Sequence, residues 1–323
     1  MEVFLTSPWI PAEWIRAHGL EPRAIWSAPQ FWSRTFPLSA GVCAFAEAAV
    51  KFSGVRSDAA VVFTTTCDQL RRGFDASLLN GGGRTNFLFN LPVVWQSPIA
   101  KELYRSELDR LGQFLLELGG HPVTPEGLRR ELLRYAEIRK RLRAAAPSSS
   151  ARQFAEAVAS FQWEGAFSSA PAAAPGKTVS LAIVGGPFCS AHWPLLEVLE
   201  AAGGRVVLNA TESGERSLCP SCEFAADNDE PFEVLLNGYF GGIVDVFPRP
   251  NTRLYTWLRP RLRSREVRGI VLWHFTGCDL WRAEAPSLRE AFGLPVLLLE
   301  AEEAPGASPR AVNRLQAFVE TLK

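Results

Sequence analysis

Six cysteines are the residues of this chain best equipped for chemistry: Cys43, Cys67, Cys189, Cys219, Cys222 and Cys278. A thiolate is a nucleophile, a redox group and a soft metal ligand. Two of the six share a setting. Cys278 stands in Thr276-Gly277-Cys278-Asp279, just after the apolar run Ile270–Trp273. Cys67 stands in TTTCDQ, just after the apolar run Ala59–Thr65. Each is a Cys-Asp pair at the end of an expected buried strand, behind a threonine and ahead of an expected helix. Cys43 marks the start of the helical pattern VCAFAEAAVKF, where the helix dipole and free N–H groups favour a thiolate. Three thiolates at such junctions can hold an iron–sulfur cluster and leave one iron open to substrate. The plainer alternative for each is a packed, inert thiol, because cysteine is among the most buried residue types. Their spacing matches no compact ligand motif.

The remaining chemistry-bearing residues carry weaker signals. Cys219 and Cys222 form CPSC, half of a zinc site or a dithiol pair, but no second CxxC or HxxxH completes it. They lie in a polar segment, TESGERSLCPSCEFAADNDE, expected to be loop rather than core and remote from the other thiols. Cys189 follows the Gly185-Gly186-Pro187 turn, where it could line a pocket or simply pack. His274 is four residues before Cys278, close enough for acid–base work, although a lone histidine on a strand is more often a core residue. Thr64, Thr65, Thr66 and Thr276 could donate hydrogen bonds to sulfide or to a substrate carbonyl. The basic run Arg139, Lys140, Arg141 and Arg143 is expected to be a solvated helix face rather than a phosphate site. The GGP turn is not a GxGxxG fingerprint, so a dinucleotide site has little support.

Composition narrows the classes. The 323 residues are 47% hydrophobic and 21% charged, with 34 basic and 34 acidic side chains. That balance argues against a nucleic-acid-binding surface. No apolar run reaches the ~18 residues of a membrane span. The first residues lack a basic region followed by an apolar one, so a cytoplasmic protein is expected. There the thiols stay reduced and serve as ligands, catalytic groups or core.

The elements that must position these residues alternate in type. Expected strands are Glu2–Ser7, Arg23–Trp26, Ala59–Thr65, Phe87–Val94, Thr178–Val184, Arg205–Asn209, Ile270–Trp273 and Pro295–Leu299. Expected helices begin at Pro11, Cys43 and Cys67, cover Ile99–Leu118 and Thr124–Arg143, and resume around Leu195, at Pro231, Thr252, after Cys278 and at Pro309. Ala144–Ser150 breaks the long helical stretch. This pattern predicts an α/β protein of two doubly wound, mostly parallel-sheet domains. An intervening helical segment covers about 99–143. The Pro/Ala-rich stretch Ala170–Lys177 places the boundary near 175, giving domains 1–175 and 176–323. Ligands of such sheets bind outside the carboxyl ends of the strands, which is where Cys67 and Cys278 fall.

The order of these stretches resembles a known family. LTSPWIPAEWIRAHGLEP, TTTCDQLRR, LYRSELDRLGQFLLELGG, IVGGPFCSAHWPLLEVLEAAGGRVVLN, PRPNTRL, RGIVLWHFTGCDLWRAEAPSLREAFGLPVLLLEAEE and RLQAFVETL are spread over nearly the whole chain. With the placement of Cys43, Cys67 and Cys278, they are similar to subunits of 2-hydroxyacyl-CoA dehydratases and benzoyl-CoA-type reductases. The resemblance implies a [4Fe-4S] cluster on Cys43, Cys67 and Cys278, with a non-protein fourth ligand. It implies a homologous second subunit or a homodimer, an acyl-CoA thioester substrate, and an ATP-dependent activator delivering single low-potential electrons. One electron would make a ketyl radical of the thioester, which expels the hydroxyl before the electron is recycled. The chain departs from the pattern after Asn209, where Glu212 and Gly214 stand in place of the cysteine that many relatives carry before the glycine. PRPN also lacks the cysteines that precede it in some relatives. A non-catalytic cluster-carrying partner, or a cluster-free α/β protein binding a small acid or nucleotide, are the competing expectations.

Overall fold

The computed structural model describes residues 1–28, 42–56, 58–79, 85–167, 178–301 and 308–323. Two four-stranded, all-parallel sheets organise it. The first contains β1 (Glu2–Leu5), β2 (Glu21–Ala24), β3 (Ala60–Thr64) and β4 (Asn86–Phe89), in the order β2-β1-β3-β4. The second contains β5 (Val179–Gly185), β6 (Gly204–Thr211), β7 (Gly269–Phe275) and β8 (Val296–Ala301), in the order β6-β5-β7-β8. The strand order is therefore the same in both halves. It reverses direction between β1 and β3 in one sheet and between β5 and β7 in the other. Such switch points leave a crevice at the strands' carboxyl ends.

The helices connect and cover the strands. α1 (Ala12–Ala17), α2 (Ala44–Val55) and α3 (Asp68–Ser77) belong to the first sheet. Three helices follow β4: α4 (Pro98–Glu117), α5 (Pro125–Ala145) and α6 (Ala151–Glu164). The second sheet carries α7 (Pro194–Ala201), α8 (Pro231–Gly242), α9 (Thr252–Ser264), α10 (Asp279–Phe292) and α11 (Pro309–Leu322). Both faces of each sheet are covered, which explains the unbroken apolar runs of the strands. Ala60 and Val62 enter one core cluster with α4 residues such as Leu108, while Val61 and Phe63 enter another with Phe45 and Ala49 of α2. In the second sheet Leu272 and Trp273 divide in the same way. At the β5–β7 seam the backbones approach so closely that a methyl group on Gly185 would lie 1.8 Å from the Trp273 carbonyl oxygen.

The α/β class, the two parallel sheets and the helical segment match expectation, with three differences. The second strand is Glu21–Ala24 rather than Arg23–Trp26, because Ile25–Ser27 coil into a short 3-10 turn. β4 ends at Phe89 instead of running to Val94. The Asn90 N–H turns away to the Glu107 carboxylate, the Leu91 N–H bonds Thr65 Oγ1, and Pro92 has no N–H to donate. α6 is an additional helix. It begins with a reciprocal cap in which Ser150 and Gln153 each accept the other's backbone N–H. The Ala170–Lys177 linker and the boundary near 175 lie outside the described residues. Among the described residues no helix is long and apolar enough to cross a membrane.

Candidate metal centre

The three singled-out cysteines each occupy the N-cap of a helix. Cys43 caps α2, and its sulfur accepts the Ala46 N–H at 3.5 Å. Cys67 caps α3, and its sulfur accepts the Leu70 N–H at 3.4 Å. Cys278 caps α10 at the carboxyl end of β7, the position that Cys67 holds relative to β3. For Cys67 and Cys278 the local reasons are alike. A parallel strand ends, the chain turns, and a short side chain at the cap lets the next helix start with an acidic residue, Asp68 or Asp279. Gly277 makes the turn before Cys278 at φ +82°, a conformation open to glycine.

All three thiols line one cavity between the halves. A methyl group on Gly277 would lie 3.5 Å from Cβ of Cys43, so the loop of one half touches the cap of the other. Phe45 of α2 and Phe275 of β7 pack across the same seam, ring centroids 5.7 Å apart. The Cys43 N–H donates to Gln69 Oε1 at 2.8 Å, tying the cap of α2 to the first turn of α3. The walls are largely apolar, with Leu70, Phe275, Leu280 and Trp281 among them. Burial pushes all three thiols up, Cys67 and Cys278 strongly, and nearby backbone N–H groups oppose it only in part. For Cys67 the neighbouring Cys43 and Cys278 add to the rise. Without metal, the three are neutral thiols near pH 7.

Two carboxylates that the sequence did not single out as site residues share this cavity. Glu212 lies one residue past β6, and Asp245 follows α8. Between them lies Arg216, whose side chain is fully buried. Its guanidinium reaches Asp245 Oδ2 at 2.6 Å and donates to the carbonyls of Ala210, Val244 and Gly185 at 2.7, 2.9 and 2.6 Å. Glu212 Oε1 is 3.8 Å away. Asp245 also accepts from Trp9 Nε1 at 3.3 Å and from the Val246 N–H at 2.6 Å. The signal for Glu212 was present in the sequence, since it occupies a strand's carboxyl end as the cysteines do. Asp245 and Arg216 gave no such signal, because their relation to the site depends on tertiary packing.

The other candidates are placed as follows. Of the threonines, Thr66 lines the cavity, and its hydroxyl is 3.0 Å from that of Thr64. Thr65 accepts from Leu91, and Thr276 donates to Ala301 O at 3.2 Å. His274 is buried in β7 with Nδ1 3.0 Å from Phe275 O, and it is not part of the cavity lining. Cys189 is buried in the second sheet's core beside Phe188 and Leu195. CPSC lies off the cavity, but it is not a polar loop: Cys222 is 1% exposed and packs in the main core. The segment is irregular yet covered by α8, whose Gly238 makes room for the Cys222 sulfur. The basic run is also not one solvated face. Arg139 is buried between Glu13 and Tyr239, and Arg143 donates to Leu218 O at 2.7 Å. The register of α5 turns these two inward.

The residues fit an iron–sulfur centre. Three sulfurs converge from separate loops, and helix N-termini offer N–H groups to any thiolate formed. None of the six cysteines is in a disulfide. Among the described residues no three His, Cys, Asp or Glu side chains close on the single point that one metal ion needs. A cubane instead spreads its protein ligands over separate irons. A family model described as 2-hydroxyglutaryl-CoA dehydratase, D-component, matches residues 9–322. The chain belongs to this dehydratase D-component family. No curated protein matches it. Membership makes it a component of a 2-hydroxyacyl-CoA dehydratase-type system, and the family match takes in the second sheet, β2 to β4 of the first and all three thiols.

Proposed function

We propose that the chain is the iron–sulfur subunit of a 2-hydroxyacyl-CoA dehydratase-like lyase, or of a related acyl-CoA reductase. Cys43, Cys67 and Cys278 hold a [4Fe-4S] cluster. A homologous subunit or a second copy completes the assembly, and an ATP-dependent activator supplies single electrons at low potential. The observation that carries this reading is the meeting of three helix-capping thiols, two from one half and one from the other, in one apolar cavity. When bound, the cluster supplies single-electron transfer and a Lewis-acidic open position for a thioester or hydroxyl oxygen. The chain's own residues have separate tasks. The N–H groups of Ala46 and Leu70 stabilise thiolates. Phe45, Phe275 and Trp281 keep water away, so that charges in the cavity interact strongly. Thr66 offers a hydroxyl donor from the wall.

Anaerobic purification with iron and sulfide analysis is the test. The expected result is about four irons per chain. Cys43→Ser, Cys67→Ser and Cys278→Ser should each lose most of that iron, whereas Cys219→Ser with Cys222→Ser should keep it. A chain that takes up no iron on anaerobic reconstitution, or trio variants that retain it, would sink the assignment. Turnover of a 2-hydroxyacyl-CoA only with activator present separates the enzyme from a silent cluster-carrying partner.

A further inference from the structure

We propose that Glu212 is a catalytic acid of this cavity, carrying a proton that it gives to the oxygen leaving a 2-hydroxyacyl thioester. The proposal rests on the function just described and adds to it a residue of this chain.

The geometry distinguishes the two carboxyl groups of the cavity wall. Among the described residues only one cation, Arg216, faces them, and it is fully buried. Asp245 takes its close contact at 2.6 Å, together with N–H donors from Trp9 and Val246. Three donors therefore converge on this one carboxylate. Glu212 is left at 3.8 Å from the same guanidinium, with Trp281 as its hydrogen-bond partner. The Arg216 guanidinium itself is 4.6 Å from the centre of the Trp281 ring. One positive charge faces two carboxyl groups, Asp245 at 4% and Glu212 at 16% side-chain exposure, and the less well held of the two, Glu212, is the one to keep a proton. Burial acts first in raising the Glu212 pKa, and the Asp245 charge adds to it. Arg216 and the Trp281 hydrogen bond act the other way. Among the described residues the cavity's remaining titratable groups are the three thiols.

A protonated carboxyl in an apolar cavity beside the proposed electron-transfer site answers a definite chemical need. Hydroxide is a poor leaving group, and a proton delivered as the C–O bond breaks lets it leave as water. The electron pair of the broken bond stays with oxygen, and the Glu212 proton joins that oxygen. The Glu212 carboxylate then takes the proton lost from the adjacent carbon. The net change is loss of one water and gain of one C=C bond. The single electron lent by the activator is returned, so no oxidant or reductant is consumed.

Glu212→Gln preserves shape and hydrogen bonding but removes the proton, while Glu212→Asp preserves the acid. Infrared spectroscopy of the isolated protein needs neither cluster nor turnover. The expected result is a protonated-carboxyl C=O band near neutral pH that Glu212→Gln abolishes. Its absence from the wild-type protein overturns the proposal whether or not the chain holds iron. In the assembled, activated enzyme, Glu212→Gln should keep its iron and its KM but lose kcat by about a hundredfold or more, with Glu212→Asp retaining part of it. Wild-type kcat should also fall as pH rises through the lifted Glu212 pKa, and the variant should lose that dependence. Unchanged kcat in Glu212→Gln, or loss of iron from it, overturns the assignment as acid. A wild-type chain without iron overturns the proposed function and with it the catalytic role, while the infrared band still decides where the proton is.

Discussion

His192 shows how strongly burial sets the behaviour of single residues here. It is 2% exposed and packs among Phe188, Trp273 and Phe275, with ring centroids 6.2, 4.8 and 5.8 Å away. Burial lowers its pKa from 6.5 to about 4. The folded state therefore binds the proton less readily than the unfolded chain, so the contribution is present above pH 6.5 and is lost as pH falls towards 4. We predict that wild type loses about 3 kcal/mol more stability than His192→Phe between pH 7 and 4, read by urea unfolding at each pH. Equal losses would refute it. The same burial explains what the sequence revealed at this scale. Cys67 and Cys278 were legible because a strand's end places its next residues predictably. Arg139 was not, because whether a helix face meets water depends on a partner, Glu13, that is 126 residues away.

Elements were legible where pattern and punctuation agreed. β3, β5 and β7 are largely apolar, and α4, α5 and α11 each open with a proline in the first turn. β4 was read too long because Val93 and Val94 continue an apolar run that has already left the sheet. α6 was missed although Ser150 and Gln153 carry the spacing of a reciprocal cap, since the small and aromatic residues after them give a weak period. The contact between β5 and β7 holds the second switch point together. A side chain at Gly185 has no room, because the obstacle is the Trp273 backbone, not a mobile side chain. We expect Gly185→Ala to cost more than about 4 kcal/mol or to prevent folding, as judged by soluble yield and urea midpoint. A midpoint near that of the wild type would show that the two strands can separate freely.

On the scale of the molecule, one buried cluster connects three regions of sequence. Glu13 of α1 accepts from Arg139 of α5 and from the Tyr239 hydroxyl of α8, each at 2.5 Å, and Arg139 also donates to that hydroxyl at 2.7 Å. Glu13 and Arg139 are 0% and 3% exposed. Glu13→Gln leaves a buried guanidinium without its counter-charge and should cost roughly 3–5 kcal/mol. The double replacement Glu13→Leu with Arg139→Met should cost less than the single one, because no charge is then stranded. The ordering of the two urea midpoints decides the point, and the reverse order would contradict it.

The shared strand order of the two sheets has a thermodynamic consequence. The first half brings two of the three cavity thiols, and the second half brings one. Neither half alone presents a three-sulfur site. A metal centre held by all three is then coupled to the closeness of the halves, and the coupling is reciprocal. Whatever favours closure, such as a subunit seated across the seam, raises metal affinity by the same factor by which metal raises affinity for that subunit. Iron retention would thus report assembly, and assembly would protect iron.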